Sequence, residues 1–449
     1  MGKTTMWNRI VWIIAAGLCW VHVAVAQQPA ASKDRIAEAN LEQVMSGPDI
    51  DALEGQAFDV LLKNGKSESG ATLKSIIRDK KQKDRIRTLD LTLSGGKKSR
   101  KLPVDQVFQL EREGQAYAVA PLPSQRSFVL IDTVKRDAAI AKTLEKSGYQ
   151  LWPAIPLDDQ EKYVGEEKEF LEKVKAHFPS MSMQLVETPH FLFLSDMPTA
   201  QINAALKQLE KMEETLGQLL GAAPGKNVWR GKCVVIVFVE RKQALEFEET
   251  LIKSTAEELK PPPSASNQIQ GFCHLFYSDL KDAGRVVIAG TRGAKPEILG
   301  AWLIREAALG YLFRHRSNQT GFDWLNAGIG DWITTVIIPS NQSVPVAQRA
   351  AVQKLRETTT LGPEFFEMTN EMQPEEYGIA SGMVQMLIEN HPVQFQLFFN
   401  GIKEGWNADQ ENGMGFGSGN LMRAYGMTYA DLVSAYGRAI GVPDLLQEE

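Results

Sequence analysis

The sequence predicts an α+β protein with a β-rich N-terminal module, a mixed α/β core and a helical C-terminal half. Three patterns support this prediction. Glycine-containing turns recur between alternating apolar residues early in the chain, which is typical of short antiparallel strands. Apolar runs then alternate with an amphipathic helix, and helical periodicity dominates the remainder. The chain therefore divides into a signal peptide (1–26), a leader (27–47), a small β module (48–130), a helical connector (131–180), an α/β core (181–340) and a helical C-terminal subdomain (341–449).

The first segment is a targeting signal and not part of the fold. Lys3 and Arg9 form a short basic region before an apolar run, and Ala24-Val25-Ala26 is a small-x-small cleavage site. Cleavage predicts a secreted or periplasmic protein with no membrane span. The alternative is an uncleaved N-terminal anchor, because the apolar run is close to the ~20 residues that cross a bilayer.

The β module begins with two hairpin patterns. Asn64-Gly65 and Gly95-Gly96 each separate apolar, strand-like segments, and Leu89, Leu91 and Leu93 alternate with polar residues. Four or five short strands in this space indicate a small β-barrel-like module, of which the SH3-like barrel is one form.

This module is also rich in Lys and Arg between Lys74 and Lys101. One interpretation is a site for an anionic polymer, such as a cell-surface polysaccharide or nucleic acid. The other is a solvated strand face, since acidic residues are interleaved and no aromatic residues are placed to stack on bases. We favour the solvated face and expect no nucleic-acid partner.

The α/β core follows a helical connector. A long amphipathic helix is predicted over 199–221, and a shorter one follows residue 240. Apolar runs predict strands at 190–196, 232–240, 271–278 and 284–291. The last two strands are predicted to be antiparallel neighbours.

Two further helices carry the most specific pattern in the chain. The first begins near Pro296 and contains Arg305-Glu306-Ala307-Ala308-Leu309, and the second begins with W-L-N-A-G-I-G-D at 324–331. Proline suits a first helical turn because its missing N–H has no intrahelical partner there. A charge in the middle of a buried helix needs a partner, so Arg305 and Glu306 each require one.

This pair of helices resembles the gluzincin branch of the zincin peptidases, and more narrowly the peptidase-MA-like domain of exported bacterial proteins of unknown function. The resemblance covers roughly 185–340 and depends most on the W-L-N-x-G-x-x-D pattern. It implies a zincin-like α+β core. In that family H-E-x-x-H supplies two zinc ligands and a general base, and a glutamate of the next helix is the third ligand.

The positions that the resemblance assigns to zinc hold other residues here. Arg305 and Leu309 stand at the two histidine positions, and Ala327 stands at the third-ligand position. Only Glu306, at the general-base position, is retained. No two of the histidines after the cleavage site are three or four residues apart, so they do not replace the motif. We predict no cofactor, with zinc expected only if the protein is an active hydrolase.

Arg305 suggests a replacement for the metal. In the family pattern an Asp four residues after the third ligand orients the first histidine, and that position is Asp331 here. An Arg305–Asp331 ion pair would then put a positive charge where the zinc was. The alternative is that Arg305 reaches the surface and Asp331 faces solvent.

Three functions remain open. The first is an exported, non-catalytic peptidase-like protein that binds a protein partner or a cell-envelope polymer. The second is an active hydrolase with Glu306 as general base and an unorthodox or absent metal. The third is a structural envelope module. The motif favours the first, because none of its residues would lower the pKa of an attacking water towards ~7 as zinc does.

Overall fold

The computed structural model describes most of the chain beyond the leader. The described residues are 50–80, 86–93, 99–122, 127–223, 225, 227–252, 270–274, 285–289, 295–367, 372–405 and 416–448. The predicted signal peptide, the leader and the Gly95-Gly96 turn lie outside them. Within the described residues the protein is α+β, as predicted.

The N-terminal module is a seven-stranded antiparallel sheet with the order β4-β3-β2-β1-β5-β6-β7. Its strands β1 to β7 are Ala57–Leu62, Ser67–Arg78, Ile86–Thr92, Ser99–Pro103, Val107–Arg112, Gln115–Leu122 and Ser127–Asp132. The Asn64-Gly65 hairpin is confirmed: Gly65 has a φ of 79°, and Asn64 Oδ1 accepts a hydrogen bond from the Lys66 amide at 3.1 Å. Glycine suits this turn because a left-handed φ costs it little.

The sheet buries a single apolar face. Phe58, Val60, Leu73 and Leu91 are all at most 2% exposed within one cluster. The order is open, because β4 and β7 lie at opposite ends and do not pair within the described residues, so the predicted barrel is not observed. The sequence prediction also undercounted the strands. The turn between β5 and β6 is Glu113-Gly114, with φ values of 52° and 78°, which is a weaker sequence signal than Asn-Gly.

Two helices connect this sheet to the core. Helix α1 (Thr133–Lys146) follows β7 directly because the Asp132 side chain accepts from the amides of Val134 and Lys135, at 3.0 and 3.1 Å. These backbone donors outweigh burial and lower the pKa of Asp132. Helix α2 (Leu157–His177) packs on the second sheet through Leu171 and Val174.

The second sheet has the order β11-β12-β10-β9-β8. Strands β8 to β12 are Gln184–Glu187, Phe191–Ser195, Cys233–Phe238, Gln270–His274 and Arg285–Ala289. The three central strands are parallel, and the antiparallel pairing of β11 with β12 is confirmed. Cys233 and Cys273 lie on strands separated by β12. Two strand spacings place their Cα atoms about 10 Å apart or more, beyond the reach of a disulfide.

Helices cover both faces of this sheet, which explains its continuous apolar strands. Phe191 and Phe193 face helix α3 (Thr199–Leu220), whereas Leu192 and Leu194 face α2 and helix α4 (Arg241–Phe247). The alternation follows from the two-residue period of a strand.

Seven helices and a short parallel pair of strands, Thr360–Leu361 and Leu446–Gln447, follow in the described residues. Helices α5 to α11 are Pro296–Arg314, Asp323–Ile337, Ser343–Thr358, Pro374–Asn390, Pro392–Lys403, Phe416–Tyr425 and Tyr429–Ile440. Six of the helices lie where the periodicity predicted them, whereas α10 begins in a glycine-rich segment for which a loop is the sequence prediction. Glycines allow α8 to approach its neighbours closely. An added Cβ at Gly328 would lie 2.6 Å from the Ala380 carbonyl oxygen, and one at Gly378 would lie 2.3 Å from that of Ala347. In the part of the chain that the structure describes, no helix is long and apolar enough to span a bilayer.

Candidate functional site

Arg305 and Asp331 form an ion pair between α5 and α6. Arg305 Nη1 lies 3.4 Å from Asp331 Oδ1, so the predicted pair is confirmed. The Asp331 side chain is only 6% exposed, and the alternative in which it faces solvent is wrong. The Arg305 side chain is 22% exposed, which makes the cation the more accessible member of the pair.

The surroundings of Arg305 hold its side chain in place. The Arg305 side chain passes close to Gly330, which has no side chain to obstruct it. A Cβ at Gly330 would lie 3.3 Å from Arg305 Cγ. On the other side, the Tyr377 ring centroid is 5.3 Å from the guanidinium carbon, within the range of a cation–π contact. Thr334 donates to the Gly330 carbonyl oxygen at 2.7 Å and completes this part of α6.

Burial and charge act on Asp331 in opposite directions. Burial raises the pKa of its carboxyl group, and the positive charge of Arg305 offsets part of that shift. The guanidinium therefore compensates some of the cost of burying the carboxylate.

The ion pair opens onto a cleft of about 510 Å³. Helix α5, the second half of α6, the α6–α7 turn, the first turns of α7 and Tyr377 of α8 surround it. Its apolar lining is Ile298, Ala301, Trp302, Val344, Val346 and Ala347. A concave, mainly apolar cavity of this size with a few charged groups is typical of a ligand site.

Asn341 fixes the wall formed by the α6–α7 turn. Its Nδ2 donates to the Glu297 carbonyl oxygen at 3.1 Å, and its Oδ1 accepts from the Ser343 amide at 2.8 Å. Asn341 is 5% exposed, so these bonds hold the turn against the first turn of α5.

The other residues singled out by the sequence do not line this cleft. Glu306 is fully buried in α5, Leu309 is half-buried, and Ala327 is buried in the main core. Arg305 and Asp331 are thus brought together in the cleft, and the general-base position is not part of its lining.

Neither a protein-family model, nor a curated protein, nor a solved structure matches this chain. The gluzincin resemblance therefore stays a prediction, and the chemistry of the cleft has to be argued from its own residues. Within the described ranges, no group of three or more His, Cys, Asp or Glu side chains is arranged to hold a metal ion.

Sequence reasoning missed several residues of the cleft. Tyr377 and Trp302 lie on helices at positions that resemble ordinary core positions, and residues 340–342 lie in the connection between α6 and α7. Their contribution depends on how α7 and α8 pack, which no local pattern encodes. Ile298 is an apolar residue that is 39% exposed in the first turn of α5 and lines the cleft.

A second buried charged group, also missed, lies at Glu213 on α3. Trp229 Nε1 donates to Glu213 Oε2 at 3.1 Å, and the neighbouring Glu210 accepts from the His190 amide at 3.0 Å. Burial raises the pKa of Glu213 to about 7. The sequence signal was its position on the apolar stripe of α3, between Leu209 and Leu216.

A third buried ionisable group is Lys403, at the end of α9. Its Nζ donates to the Gln319 carbonyl oxygen and, at 3.2 Å, to the Phe313 carbonyl oxygen, one of the last in α5. Lys403 is 1% exposed, and burial lowers its pKa well below the usual value. This lysine satisfies backbone carbonyls near the end of α5 and is enclosed by the protein.

The basic β module contains internal ion pairs. Arg78 and Arg87 lie 2.6 and 2.8 Å from Asp51 and Asp79, and Arg100 pairs with Glu68. These pairs balance part of the positive charge and support the interpretation of a solvated strand face.

Proposed function

We propose that this is an exported, non-catalytic peptidase-like protein, a pseudo-gluzincin, which binds a protein partner or a cell-envelope polymer in the Arg305–Asp331 cleft. In this proposal the core is zincin-like, the N-terminal sheet is an open variant of an SH3-like module, and the first 26 residues direct secretion.

The observation that carries the proposal is the position of the ion pair. Arg305 stands where the resemblance expects the first zinc histidine, and Asp331 stands where it expects the carboxylate that orients that histidine. They are 3.4 Å apart in the wall of a cleft. An arginine cannot deprotonate to ligate a metal at ordinary pH, so this donor set favours a fixed organic cation at the centre of the site.

The surroundings of Glu306 support the non-catalytic part of the proposal. A general base must come within hydrogen-bond reach of the proton that it removes, directly or through one water. Glu306 is 0% exposed and does not line the cleft, so a substrate there would not reach it without rearrangement of α5.

The test combines metal analysis with a peptide-hydrolysis assay on the purified mature protein. We expect substoichiometric zinc and no turnover of a peptide library, with or without added zinc. The matched comparison is Glu306→Gln, which preserves the shape of the side chain. One zinc per chain, or turnover that disappears in Glu306→Gln, would establish the active-hydrolase alternative instead.

A further inference from the structure

The cleft combines a partly exposed guanidinium with apolar walls. From this geometry we infer that it binds the C-terminal end of a peptide whose last residue is apolar, with the terminal carboxylate on Arg305. This inference rests on the proposed function, because it names the ligand class of the same cleft.

The cation is the member of the ion pair that a ligand would meet. The Arg305 side chain is 22% exposed and that of Asp331 is 6% exposed, and both lie in the cleft lining. A guanidinium group presents its donors in a planar fork that matches the two oxygens of a carboxylate. An incoming carboxylate therefore has a complementary partner at the cleft wall.

The internal pair is long. Its Nη1–Oδ1 distance of 3.4 Å exceeds the roughly 2.7–2.9 Å of strong charge-assisted hydrogen bonds. The Tyr377 ring, 5.3 Å from the guanidinium carbon, also orients the group. A ligand carboxylate that met the exposed part of Arg305 at such a short distance would form a stronger charge-assisted hydrogen bond than the one in the Asp331 pair.

The helix ends around the cleft also favour an anion. Lys295 and Ile298 belong to the start of α5, and Ser343 and Val344 belong to the start of α7. Helix N-termini carry partial positive charge, and Lys295 adds a full charge at the rim. Glu297 at the same rim is exposed like Lys295, so these two charges oppose each other and solvent screens both.

The apolar lining specifies the rest of the ligand. Ile298 is 39% exposed although it belongs to a largely buried helix, and Trp302 is half-buried beside it. An apolar side chain next to the carboxylate would cover both. The volume of about 510 Å³ suits a short peptide segment and not a folded domain.

Two sources offer this chemistry, namely the C terminus of a protein partner and the C terminus of a peptide in an envelope polymer. Both present a free carboxylate beside an apolar side chain. Peptides that end in an L-residue or in a D-residue distinguish them.

The first experiment measures the binding of fluorescent hexapeptides to the mature protein at pH 7 by anisotropy. Three peptides share one sequence and end in L-leucine as the free acid, in L-leucine amide, or in D-alanine as the free acid. We expect at least one free acid to bind about tenfold or more tightly than the amide, since a hydrogen bond to a charged group is lost in the amide. Equal affinities, or no binding of any peptide at millimolar concentration, would overturn the inference.

The second experiment assigns the discrimination to the cleft. Arg305→Gln with Asp331→Asn removes both charges together and is expected to abolish the preference for the acid. The matched control is Arg78→Gln with Asp51→Asn, which removes the 2.6 Å pair of the β module and should retain the preference. Persistence of the preference in the cleft variant would contradict the inference.

A third variant keeps the inference testable if the double variant does not fold. Ala301→Trp fills the cleft from α5 and leaves the ion pair intact, so it should weaken binding of each free acid that binds the wild type by about tenfold or more. Unchanged affinity in this variant would place the peptide elsewhere. Mass spectrometry of the recovered peptide separates the two proposals: a cleaved peptide contradicts the non-catalytic function, whereas intact peptide without acid preference contradicts only the ligand class.

Discussion

Ionisable side chains interact at the middle and at the end of helix α5, and the two places differ in their surroundings. In the middle of the helix, Arg305 is 22% exposed, pairs with Asp331 and faces a cleft. At the end of the helix, Lys403 of α9 is 1% exposed and donates to the carbonyl oxygens of Phe313 and Gln319. Both sites compensate a buried charge. Only the first presents its charge to a space that a ligand can enter, so burial of a charge does not by itself identify a binding site.

The largest effect on stability is expected when one member of the Arg305–Asp331 pair is removed. Arg305→Met leaves Asp331 buried without its cation, and we expect a loss of about 2–3 kcal/mol in the free energy of unfolding at pH 8. Adding Asp331→Leu should recover most of that loss, because the remaining charge is removed as well. Urea denaturation of the wild type and of both variants measures these free energies of unfolding. If the single variant is as stable as the wild type, the pair does not compensate a buried charge.

At the end of α5, removal of Lys403 should change the stability of the protein but not its peptide binding. Lys403→Met keeps the packing of the side-chain stem but leaves two carbonyl oxygens without their donor. Removal of a buried amine, whose charged form is disfavoured by burial, offsets part of that loss. We expect a loss of about 1–2 kcal/mol in the free energy of unfolding. The preference for peptide acids over amides should remain unchanged. A variant that loses this preference while it stays folded would remove the distinction between the two sites.

Glu213 extends the comparison to a buried group that titrates near neutral pH. Burial raises its pKa from 4.5 to about 7, so the folded state holds the proton more tightly than the unfolded state. Its contribution to stability is therefore full below about pH 4.5 and is lost as the pH rises through about 7. Glu213→Gln imitates the protonated form, and we expect it to be more stable than the wild type at pH 8 by about 1–2 kcal/mol and nearly equal to it at pH 4.5.

The measurement is the pH dependence of urea denaturation for both proteins. His190 and Glu210 are present in both proteins, so the difference between the curves reports the titration of Glu213 together with its charge interactions with these two residues. A constant difference across pH 4.5 to 8 would show that Glu213 keeps an ordinary pKa.

The smallest effect concerns the glycine beside Arg305. Alanine is favoured over glycine in a helix by about 1 kcal/mol. At Gly165 of α2, where a Cβ meets nothing within 4 Å, Gly165→Ala should raise stability by up to about that amount. At Gly330 the new Cβ would lie 3.3 Å from Arg305 Cγ, and we expect Gly330→Ala to show no such gain. Equal gains in thermal unfolding at both positions would mean that Gly330 is not needed to accommodate Arg305.

The sequence predicted the local elements better than their arrangement. Asn64-Gly65, the continuous apolar strands and the prolines at helix starts act within a few residues, so their patterns are visible along the chain. The open order of the seven-stranded sheet depends on pairings between distant strands and was not predicted. Of the cleft, the Arg305–Asp331 pair could be predicted because a family pattern supplied the spacing. Tyr377, Trp302 and the Asn341 turn depend on helix packing and could not.

Under the proposed function, the Arg305–Asp331 ion pair between α5 and α6 stands where a gluzincin would hold its metal. The direct test is to restore the ligands with Arg305→His, Leu309→His and Ala327→Glu in one variant and to titrate it with zinc by calorimetry. We expect one zinc per chain in this variant, bound at micromolar affinity or tighter, and no comparable site in the wild type. A folded variant that binds no zinc, or a wild-type protein that binds it equally well, would contradict the account.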